Sequence, residues 1–563
     1  MINLQAKPFN LSQEQIAKVE QILANMTDKE KVEQLFIPAA FVVAPEVMKD
    51  MFTKHKFGGV MFRAAKGEDI LKAVRVAQEN SDIPVLVAAN LEDGGNGVAV
   101  EGTYMGRQML VSATDDVNKA YQLGKICGVE GMACGINWTF APVVDIDMNF
   151  HNPIANVRTY GNDADKVLAC GAEYLRATSE EGMIVSIKHF PGDGVDERDH
   201  HLLTSVNDLS LEKWEATFGK VYRGLVEKGA QTVMVGHFSM PAMEEFYDKV
   251  PCRKVIPSTA SANVLRYLRE EIGFNGLITT DASPMVGMMS TTKRKEVVPM
   301  SIEYGCDMFL FTKDLEEDIS FMWEGYQNGL LSEKRLNEAV LRILATKAAM
   351  GLFDKKEDGT LVPSEEGLSV LGKPEHVEWA KECADMGVTL VKDVRNILPL
   401  SVEKHKKVLL EIIGDFESND RVREHFTRLL EKEGFEVTLY VPETFENIFT
   451  DGAVNKFKAK YDLVLYIGNI ENASNKTTSR ISWHTLFGAG NNLPWFAQEV
   501  PTVFVSVGNP YHLYDAPMVP TYINGYCHSP YVIDAVMDKL MGRSEFKGVS
   551  PVDPFCGAFG TDL

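Results

Sequence analysis

Over residues 32–312, short apolar runs alternate with longer stretches in which apolar residues return every three or four positions. The short runs are typical of strands buried on both faces, and the longer stretches are typical of amphipathic helices such as Asp69–Asn80 and Asp163–Glu181. The predicted strands are Val32–Phe41, Phe57–Arg63, Pro84–Asn90, Ile136–Asp145, Ile184–Phe190, Gln231–Phe238, Gly276–Asp281 and Asp307–Thr312.

Eight strands that alternate with helices predict an α/β fold, a (β/α)8 TIM-type barrel. A doubly wound open sheet has the same alternation and stays an alternative. Unusual polar residues at or near the strand ends favour the barrel: Arg63, Asn90, Asp145, Lys188, His189, His237 and Asp281. Because the carboxyl ends of barrel strands converge on one face, we expect most of these side chains to share one site.

A second α/β unit follows the barrel. Its predicted strands are Lys407–Ile413, Glu436–Tyr440, Leu463–Ile467 and Thr502–Val507, and its clearest helix is Asn419–Glu433. Between the two units lies a stretch rich in Lys, Glu, Asp and Gly, which is typical of a linker. We therefore expect a barrel over residues 1–353, a linker over 354–375 and a smaller α/β sandwich of parallel strands over 376–563.

Composition narrows the range of partners. With 79 acidic and 57 basic residues the formal net charge is −22, and such a chain is repelled by phosphate backbones. We therefore expect no nucleic-acid partner. No uncharged apolar run is long enough to span a membrane, and the first residues lack the pattern of a secretory signal. The eight cysteines show no metal-type spacing, so we expect reduced thiols, no metal or other cofactor, and a cytoplasmic protein.

The densest chemical cluster is the segment KHFPGDGVDERDHH at residues 188–201. Asp199 and His201 are two positions apart, close enough in a bent loop for the carboxylate to accept a hydrogen bond from the imidazole. Such a carboxylate orients the ring and stabilises its charged form, which suits a general acid. On its own, the Asp-x-His spacing also fits a surface loop with incidental charges.

Asp281 comes directly after the run Leu277–Thr280, at the end of a predicted strand. A carboxylate at the carboxyl end of a barrel strand faces the barrel mouth and can attack an electrophilic carbon. The alternative is an N-cap for the following helix, since aspartate is common in that position. Sequence position alone does not separate these two interpretations.

These segments, taken together and in order, resemble glycoside hydrolase family 3, specifically its β-N-acetylglucosaminidase branch. The specific elements are KHFPGDG with DHH at 188–201 and TTDASPM at 279–285. Supporting elements are MTDKEK at 26–31, FGGV at 57–60, FAPVVD at 140–145, VRTYG at 157–161 and NILPL at 396–400. The resemblance therefore extends through most of the chain.

The resemblance implies an exo-acting retaining β-N-acetylglucosaminidase. Asp281 would be the nucleophile that forms a covalent glycosyl-enzyme, and His201 with Asp199 would be the acid/base, in place of one of the usual two carboxyl groups. The substrate would be terminal β-linked N-acetylglucosamine on chitin or cell-wall fragments. The residues expected to line the sugar subsite are Lys188, His189, Arg158 and Asp145.

Three departures from the family pattern affect the site. Asp193 stands where the branch often has His, and His200 stands where it has Ser or Thr, so His200 competes with His201 for the acid role. The Asp-x-His spacing favours His201. Asn90 replaces an aspartate that holds a distal sugar hydroxyl, and we expect Glu92 or Asp93 to take over that contact.

Two further features have open interpretations. His237 ends a predicted strand, where it either contacts the sugar or packs behind the site. The long loop 472–492 carries Arg480, Trp483 and His484. It either reaches the barrel mouth, with Trp483 stacking on a sugar, or is a plain surface excursion, which we favour.

Four rival functions remain. One is a β-glucosidase or β-xylosidase whose acid is a glutamate of the second domain, where no candidate lies in a defensible motif: Glu411, Glu417, Glu443 and Glu471. Another is a phosphorylase, because a neutral histidine repels phosphate less than a glutamate does. The others are a metal-dependent hydrolase using His189, His200, His201 and Asp281, and a non-catalytic sugar-binding protein. Sequence leaves the sugar preference and the oligomeric state open.

Overall fold

The computed structural model describes residues 2–414, 417–441, 453–470, 472–486, 489–490 and 492–562. The chain divides into two compact units. The first contains Met1–Tyr104, Ala120–Asn152 and Asp163–His376, and the second contains Met105–Lys119, Pro153–Asn162 and Val377–Leu563. The expected linker 354–375 therefore lies within the first unit, and two short segments of the expected barrel region belong to the second.

The described residues of the first unit form eight parallel strands. They are β1 (Phe36–Ile37, continued at Ala39–Ala40), β2 (Gly59–Phe62), β3 (Leu86–Ala89), β4 (Trp138–Thr139), β5 (Ile184–Phe190), β6 (Thr232–Val235), β7 (Leu277–Thr280) and β8 (Phe309–Leu310). Neighbours pair in chain order from β1 to β7. The circle closes because Thr279 of β7 bridges Met308, next to β8, while Phe309 of β8 pairs with Phe36 of β1. The expected barrel is confirmed.

Helices surround these strands. The α-helices of this region are Gln13–Asn25, Asp28–Gln34, Pro45–Lys54, Gly67–Glu79, Asn118–Ala133, Ala164–Glu180, Leu211–Trp214, Lys220–Glu227, Pro241–Asp248, Ala262–Glu270, Val286–Met289, Arg294–Tyr304, Leu315–Gln327, Glu333–Ala349 and Leu352–Glu357. The predicted strand Val32–Phe41 began too early. Thr27 and Glu30 form a reciprocal capping box that starts a helix running to Gln34, so the strand begins only at Phe36.

The described residues of the second unit form a six-stranded sheet and a short hairpin. Its strands are β9 (Thr389–Asp393), β10 (Lys407–Ile413), β11 (Glu436–Leu439), β12 (Leu463–Gly468), β13 (Thr485–Leu486), β14 (Ala489–Gly490), β15 (Thr502–Ser506) and β16 (Thr521–Asn524). The sheet order is β9-β16-β15-β12-β10-β11, and β13 pairs with β14. Its described α-helices are Gln108–Ala113, Pro374–Gly387, Asn419–Glu433, Val454–Lys460 and Pro530–Leu540.

The expected α/β architecture of this unit is confirmed, with one difference in strand direction. β9 runs antiparallel to β16, whereas the other neighbours in this sheet are parallel. The core of the unit includes stacked aromatic rings, with Phe504 5.9 Å from Tyr466 and 5.5 Å from Tyr522 between ring centroids. Among the described residues, no helix has the length and apolar character needed to cross a membrane.

Candidate active site

The carboxyl ends of the barrel strands bring most of the expected site residues into the first unit. Asn90 directly follows β3, and Asp281 directly follows β7. Lys188 and His189 lie near the end of β5, and His237 lies two residues beyond β6. Arg158 is placed differently, because it ends a short 3-10 turn, Asn156–Arg158, that belongs to the second compact unit.

The pairing of β5 is irregular around two adjacent residues of the site, Lys188 and His189. The pairing of β5 with β6 is interrupted between Ile187 and Phe190. In a regular strand, adjacent residues such as Lys188 and His189 point to opposite faces, and a local irregularity can re-aim one of them. Both side chains are buried, and both contact other expected site residues.

Asp281 sits in a dense cluster of imidazoles. Its Oδ1 accepts a hydrogen bond from the Ala282 amide at 2.6 Å, and its Oδ2 lies 4.0 Å from Nε2 of His189. Burial alone would raise the pKa of Asp281, but neighbouring histidines outweigh it and hold the pKa below its usual range. In decreasing order of effect they are His189, His200, His237 and His201. The carboxylate form is therefore favoured, as a nucleophile requires.

Asp145 fixes the histidine nearest to Asp281. Its Oδ2 lies 2.7 Å from Nδ1 of His189, and its Oδ1 accepts from the backbone amides of His189 and Asp193 at 3.1 and 2.8 Å. Asp145 is buried. Because the Asp145 carboxylate accepts a hydrogen bond at Nδ1, the other ring nitrogen of His189, Nε2, faces Asp281.

A buried ion pair lies at the Asn90 side of the mouth. Nζ of Lys188 is 2.7 Å from Oε1 of Glu92 and donates to Oδ1 of Asn90 at 3.3 Å. Lys188 and Glu92 are each less than a tenth exposed. The ammonium group of Lys188 donates, the carboxylate of Glu92 accepts, and the amide of Asn90 does both. Their convergence therefore suits recognition of sugar hydroxyls.

Asp199 and His201 form the expected dyad geometry. Oδ1 of Asp199 lies 2.7 Å from Nδ1 of His201 and also accepts from the His201 backbone amide at 2.7 Å. Asp199 is buried, whereas the His201 side chain is 18% exposed. Its Nε2 is therefore the ring nitrogen directed away from the carboxylate, and the ring can meet a leaving group that enters from solvent.

The dyad segment docks on the segment that follows Asp281. The carbonyl of His201 accepts from the Val286 amide at 3.0 Å, and that of His200 accepts from the Gly287 amide at 3.2 Å. A Cβ atom on Gly287 would lie 2.3 Å from the His200 carbonyl oxygen. The close approach therefore requires glycine at position 287.

His200 has the wrong environment for the acid role. Its side chain is fully buried, and Nδ1 accepts a 3.4 Å contact from the His237 backbone amide. Burial, followed by the nearby His201, lowers the pKa of His200 well below its usual value. A ring that is neutral and closed to solvent does not supply a proton to a leaving group, so the geometry favours His201.

His237 is tied to the backbone beside the nucleophile. Its ring lies 2.8 Å from the Thr259 hydroxyl through Nδ1 and 3.0 Å from the Ala282 carbonyl through Nε2. The residue is fully buried, and burial lowers its pKa to about 4. Both ring nitrogens are engaged within the protein, so this geometry favours packing and support of Ala282 over the expected sugar contact.

The glutamates of the second unit have unequal environments. Glu411 is buried on β10, where burial raises its pKa to about 9 despite a hydrogen bond from Asn492. Glu417 is exposed. Glu443 and Glu471 lie outside the described residues. The neutral, buried Glu411 therefore does not resemble a solvent-accessible catalytic acid.

The described part of loop 472–492 is anchored within its own unit. Arg480 pairs with Asp515 and lies over the ring of Tyr514, with the guanidinium carbon 4.7 Å from the centroid. The indole of Trp483 donates to the Asp515 carbonyl at 3.3 Å and packs against the core of the unit. These contacts are those of a folded surface loop.

One cluster has the spacing of a cation site. Asp199, His200 and His201 each present a potential ligand atom, and these atoms lie within 4.8 Å of one another. Asp199 and His201 are hydrogen-bonded to each other through Oδ1 and Nδ1, and His200 is fully buried. The donor set could hold a transition metal, but its hydrogen bonding suits an acid/base dyad.

Comparison with known proteins identifies relatives over the full length. The family described as "Glycosyl hydrolase family 3 N terminal domain" matches residues 27–346. The chain is 42% identical over 576 residues to the "Beta-N-acetylglucosaminidase/beta-glucosidase" of Cellulomonas fimi, covering 100% of both chains. This similarity includes both compact units.

Solved structures give the same picture of the fold. The "Beta-glucoside phosphorylase BglX" superposes with a TM-score of 0.93 at 40% identity, covering 99% of both chains. A "glycoside hydrolase family 3 beta-N-acetylglucosaminidase" from Paenibacillus sp. str. FPU-7 superposes with a TM-score of 0.79 at 23% identity, covering 95% of this chain and 100% of that one. At that lower identity, the similarity supports the fold alone.

Proposed function

The chain belongs to glycoside hydrolase family 3 and is a glycosidase, and we propose that it is a retaining exo-β-N-acetylglucosaminidase with Asp281 as nucleophile and His201 as acid/base. The observation that carries the proposal is an ionised, buried Asp281 in the same site as a partly exposed His201 held by Asp199. The 42% identical relative has a matching name, which supports this substrate class.

In the first half-reaction, Asp281 attacks the anomeric carbon and forms a glycosyl-enzyme ester. Ala282 already holds Oδ1, so Oδ2 is the oxygen available for attack. The bond between the anomeric carbon and the aglycone oxygen breaks, and that oxygen takes its proton from Nε2 of His201. Asp199 accepts from Nδ1 and stabilises the ring while it is charged.

In the second half-reaction, neutral His201 removes a proton from water. The water oxygen attacks the anomeric carbon, the ester bond to Asp281 breaks, and the sugar leaves with its β configuration retained. Lys188, Asn90 and Glu92 are proposed to hold hydroxyl groups of the sugar, with His189 and Asp145 beside the nucleophile. Arg158 is retained as a proposed substrate contact on the resemblance alone.

We place this reaction in the cytoplasm, on terminal residues of chitin-derived or cell-wall-derived fragments. All eight cysteines are in the thiol form and six are buried, which suits a reducing compartment. No metal or other cofactor takes part in the proposed steps.

A panel of 4-nitrophenyl β-glycosides tests the assignment. We expect the N-acetylglucosaminide to give the highest kcat/KM, with the β-anomer appearing first by NMR. A higher kcat/KM for the glucoside or xyloside would show that glucose or xylose, and not N-acetylglucosamine, is the preferred sugar. The α-anomer appearing first would reject the retaining mechanism.

Phosphorolysis is the second candidate, because a phosphorylase is 40% identical over 99% of both chains. Phosphate would replace water as the acceptor, and the histidine acid/base repels an anion less than a glutamate does. The same panel with and without inorganic phosphate separates the two acceptors. Sugar 1-phosphate as the main product would select phosphorolysis, and unchanged free sugar would select hydrolysis.

A further inference from the structure

Two buried polar atoms face each other beneath the proposed acid/base dyad. Oδ2 of Asp193 and Nε2 of His200 are 3.7 Å apart, and neither has a hydrogen-bond partner within the described part of the chain. Asp193 is 4% exposed and His200 is fully buried. Leaving such groups unpaired costs about 1–3 kcal/mol each, so their mutual approach requires a reason.

The other atoms of both side chains determine how the two can pair. Oδ1 of Asp193 accepts from the Gly194 amide at 2.6 Å and from Nδ2 of Asn152 at 2.9 Å. Nδ1 of His200 accepts from the His237 backbone amide, so the neutral ring carries its proton on Nε2. The Nε2–H group therefore points towards the one unused oxygen of Asp193.

His200 also forms the centre of the histidine cluster. Its ring meets that of His201 edge-on at 4.9 Å and that of His189 edge-on at 5.8 Å, between ring centroids. Its carbonyl accepts from Gly287, on the segment after Asp281. A displacement of the His200 ring would thus reach the acid/base and the nucleophile segment together.

We propose that Asp193 and His200 are a positioning pair that holds residues 199–201 so that His201 can protonate the leaving group. This inference rests on the proposed function of His201. Closing the 3.7 Å gap lets Nε2–H of His200 donate to Oδ2 of Asp193, which would link the segment after β5 to the dyad loop. Both residues are buried, so in this proposal they act through His201 and not on the substrate.

The pairing depends on pH because it needs the carboxylate form of Asp193. Burial, and after it the Asp145 carboxylate, raises the pKa of Asp193 to about 8. The fraction of molecules in which an ionised Asp193 pairs with His200 therefore increases as pH rises towards and past that value. The titratable groups that act on the pair are Asp145, Asp199, Asp281, His189, His201 and His237. A neutral asparagine at 193 would resemble the protonated aspartate.

The test compares Asp193→Asn, His200→Phe and the double variant with the unaltered chain. Two β-glycosides are used: a 2,4-dinitrophenyl substrate, whose leaving group needs no proton, and a 4-methoxyphenyl substrate, whose leaving group does. At pH 8.5 we expect kcat/KM on the poor leaving group to fall about tenfold, as for loss of a hydrogen bond to a charged group. Activity on the dinitrophenyl substrate should change little.

Two further readouts separate positioning from general damage. The ratio of kcat/KM between the unaltered enzyme and Asp193→Asn should approach unity at pH 6, because Asp193 is then largely protonated and resembles asparagine. The double variant should be no worse than the more impaired single variant, since the two residues act as one pair. Equal losses on both substrates, pH-independent losses or additive losses would overturn the proposal.

Controls keep the outcome decisive. Glu197→Gln alters an exposed residue of the same loop and should behave like the unaltered enzyme. Labelling by a 2-fluoro glycosyl fluoride checks that Asp281 remains competent. If His200→Phe fails to fold, His200→Gln replaces it and should retain activity, because its amide can donate near the Nε2 position. A Gln variant as impaired as Asp193→Asn on the poor leaving group would contradict the pair.

His201→Ala is measured in parallel to separate this inference from the proposed function. A leaving-group effect means a larger loss of kcat/KM on the 4-methoxyphenyl substrate than on the dinitrophenyl substrate. If His201→Ala shows this effect and neither Asp193→Asn nor His200→Phe does, the positioning pair alone is rejected. No leaving-group effect in His201→Ala would reject both, since the pair is proposed to act through that residue.

Discussion

Asp199 accepts both hydrogen bonds that fix His201, one from ring Nδ1 and one from the backbone amide, each 2.7 Å long. One buried oxygen thus sets both the ring orientation and the turn of the chain. The carboxylate also balances the charge that the ring carries as an acid.

We predict that Asp199→Asn impairs protonation of the leaving group. Asparagine keeps the size of the side chain but loses the negative charge, so kcat/KM on a 4-methoxyphenyl β-glycoside should fall about 100-fold, within the usual range for general acid catalysis. The dinitrophenyl glycoside should show a much smaller loss. Asp208→Asn, an exposed change nearby, is the control. Matching losses on both substrates would contradict the acid assignment.

Removing the carboxylate of Asp281 should abolish hydrolysis, and an external nucleophile should then restore cleavage with a product of α configuration. Asp281→Gly removes the attacking oxygen, so hydrolysis of the dinitrophenyl glycoside should be abolished and azide should restore consumption of the substrate. Azide then occupies the face that the carboxylate used and gives the α-glycosyl azide. NMR of the product checks this outcome. A β-glycosyl azide, or unimpaired hydrolysis in the variant, would require another nucleophile.

Asn90→Asp should alter sugar preference more than catalysis. The amide oxygen of Asn90 accepts from Lys188, and its NH2 group can donate to a hydroxyl, whereas aspartate only accepts. We expect KM ratios among N-acetylglucosaminide, glucoside and xyloside to shift by several-fold at nearly constant kcat. Initial rates on the three 4-nitrophenyl glycosides provide the measurement. Unchanged KM ratios would remove Asn90 from the sugar subsite.

The buried Glu411 makes stability depend on pH. Its folded pKa of about 9 exceeds the unfolded value near 4.5, so its stabilising contribution is complete below pH 4.5 and is lost as pH rises through about 9. Each pH unit in that window costs about 1.4 kcal/mol. Glu411→Gln removes this dependence. The free energy of unfolding of the variant, relative to that of the unaltered chain, should therefore increase by about 3 kcal/mol between pH 6 and pH 8.

Calorimetric unfolding at several pH values measures this gain. The exposed Glu417→Gln serves as the matched control and should follow the unaltered chain at every pH. A gain for Glu411→Gln that does not grow with pH would mean that Glu411 is ionised in the folded protein.

We predict that exhaustive chelation leaves activity unchanged. Potential ligand atoms of Asp199, His200 and His201 lie within 4.8 Å of one another, but Asp199 and His201 are already hydrogen-bonded to each other. Activity is measured after dialysis against EDTA, with and without added Zn²⁺. Loss of activity that Zn²⁺ restores would replace the dyad with a metal-dependent mechanism.

The barrel was predictable because its strands are buried on both faces. The bounds Ile184–Phe190 agree with the structure, since this apolar-rich segment is too short for a helix and lies between helical patterns. Val32–Gln34 was misassigned because the capping box at Thr27 extends a helix into an apolar segment. The strands at 389–393 and 521–524 were missed because neither is a long apolar run.

The chemistry of the site was only partly accessible from sequence. Asp199 and His201 are two positions apart in sequence, so their contact follows from spacing. The contacts of His200 and His237 depend on atoms brought from distant segments, such as Thr259 and Ala282. The burial of Glu411 is likewise a tertiary property, since β10 places it beside Asn492 of a later loop.

The two amide-to-carbonyl bonds between Val286–Gly287 and His200–His201 have a consequence for the evolution of this site. They join the segments of the proposed acid and nucleophile through main-chain atoms, which most side-chain substitutions leave intact. Because the proposed sugar contacts Asn90 and Glu92 lie on another segment, we expect sugar preference to diverge there while this main-chain spacing is inherited unchanged. Position 287 is the exception, because any side chain there would separate the two segments.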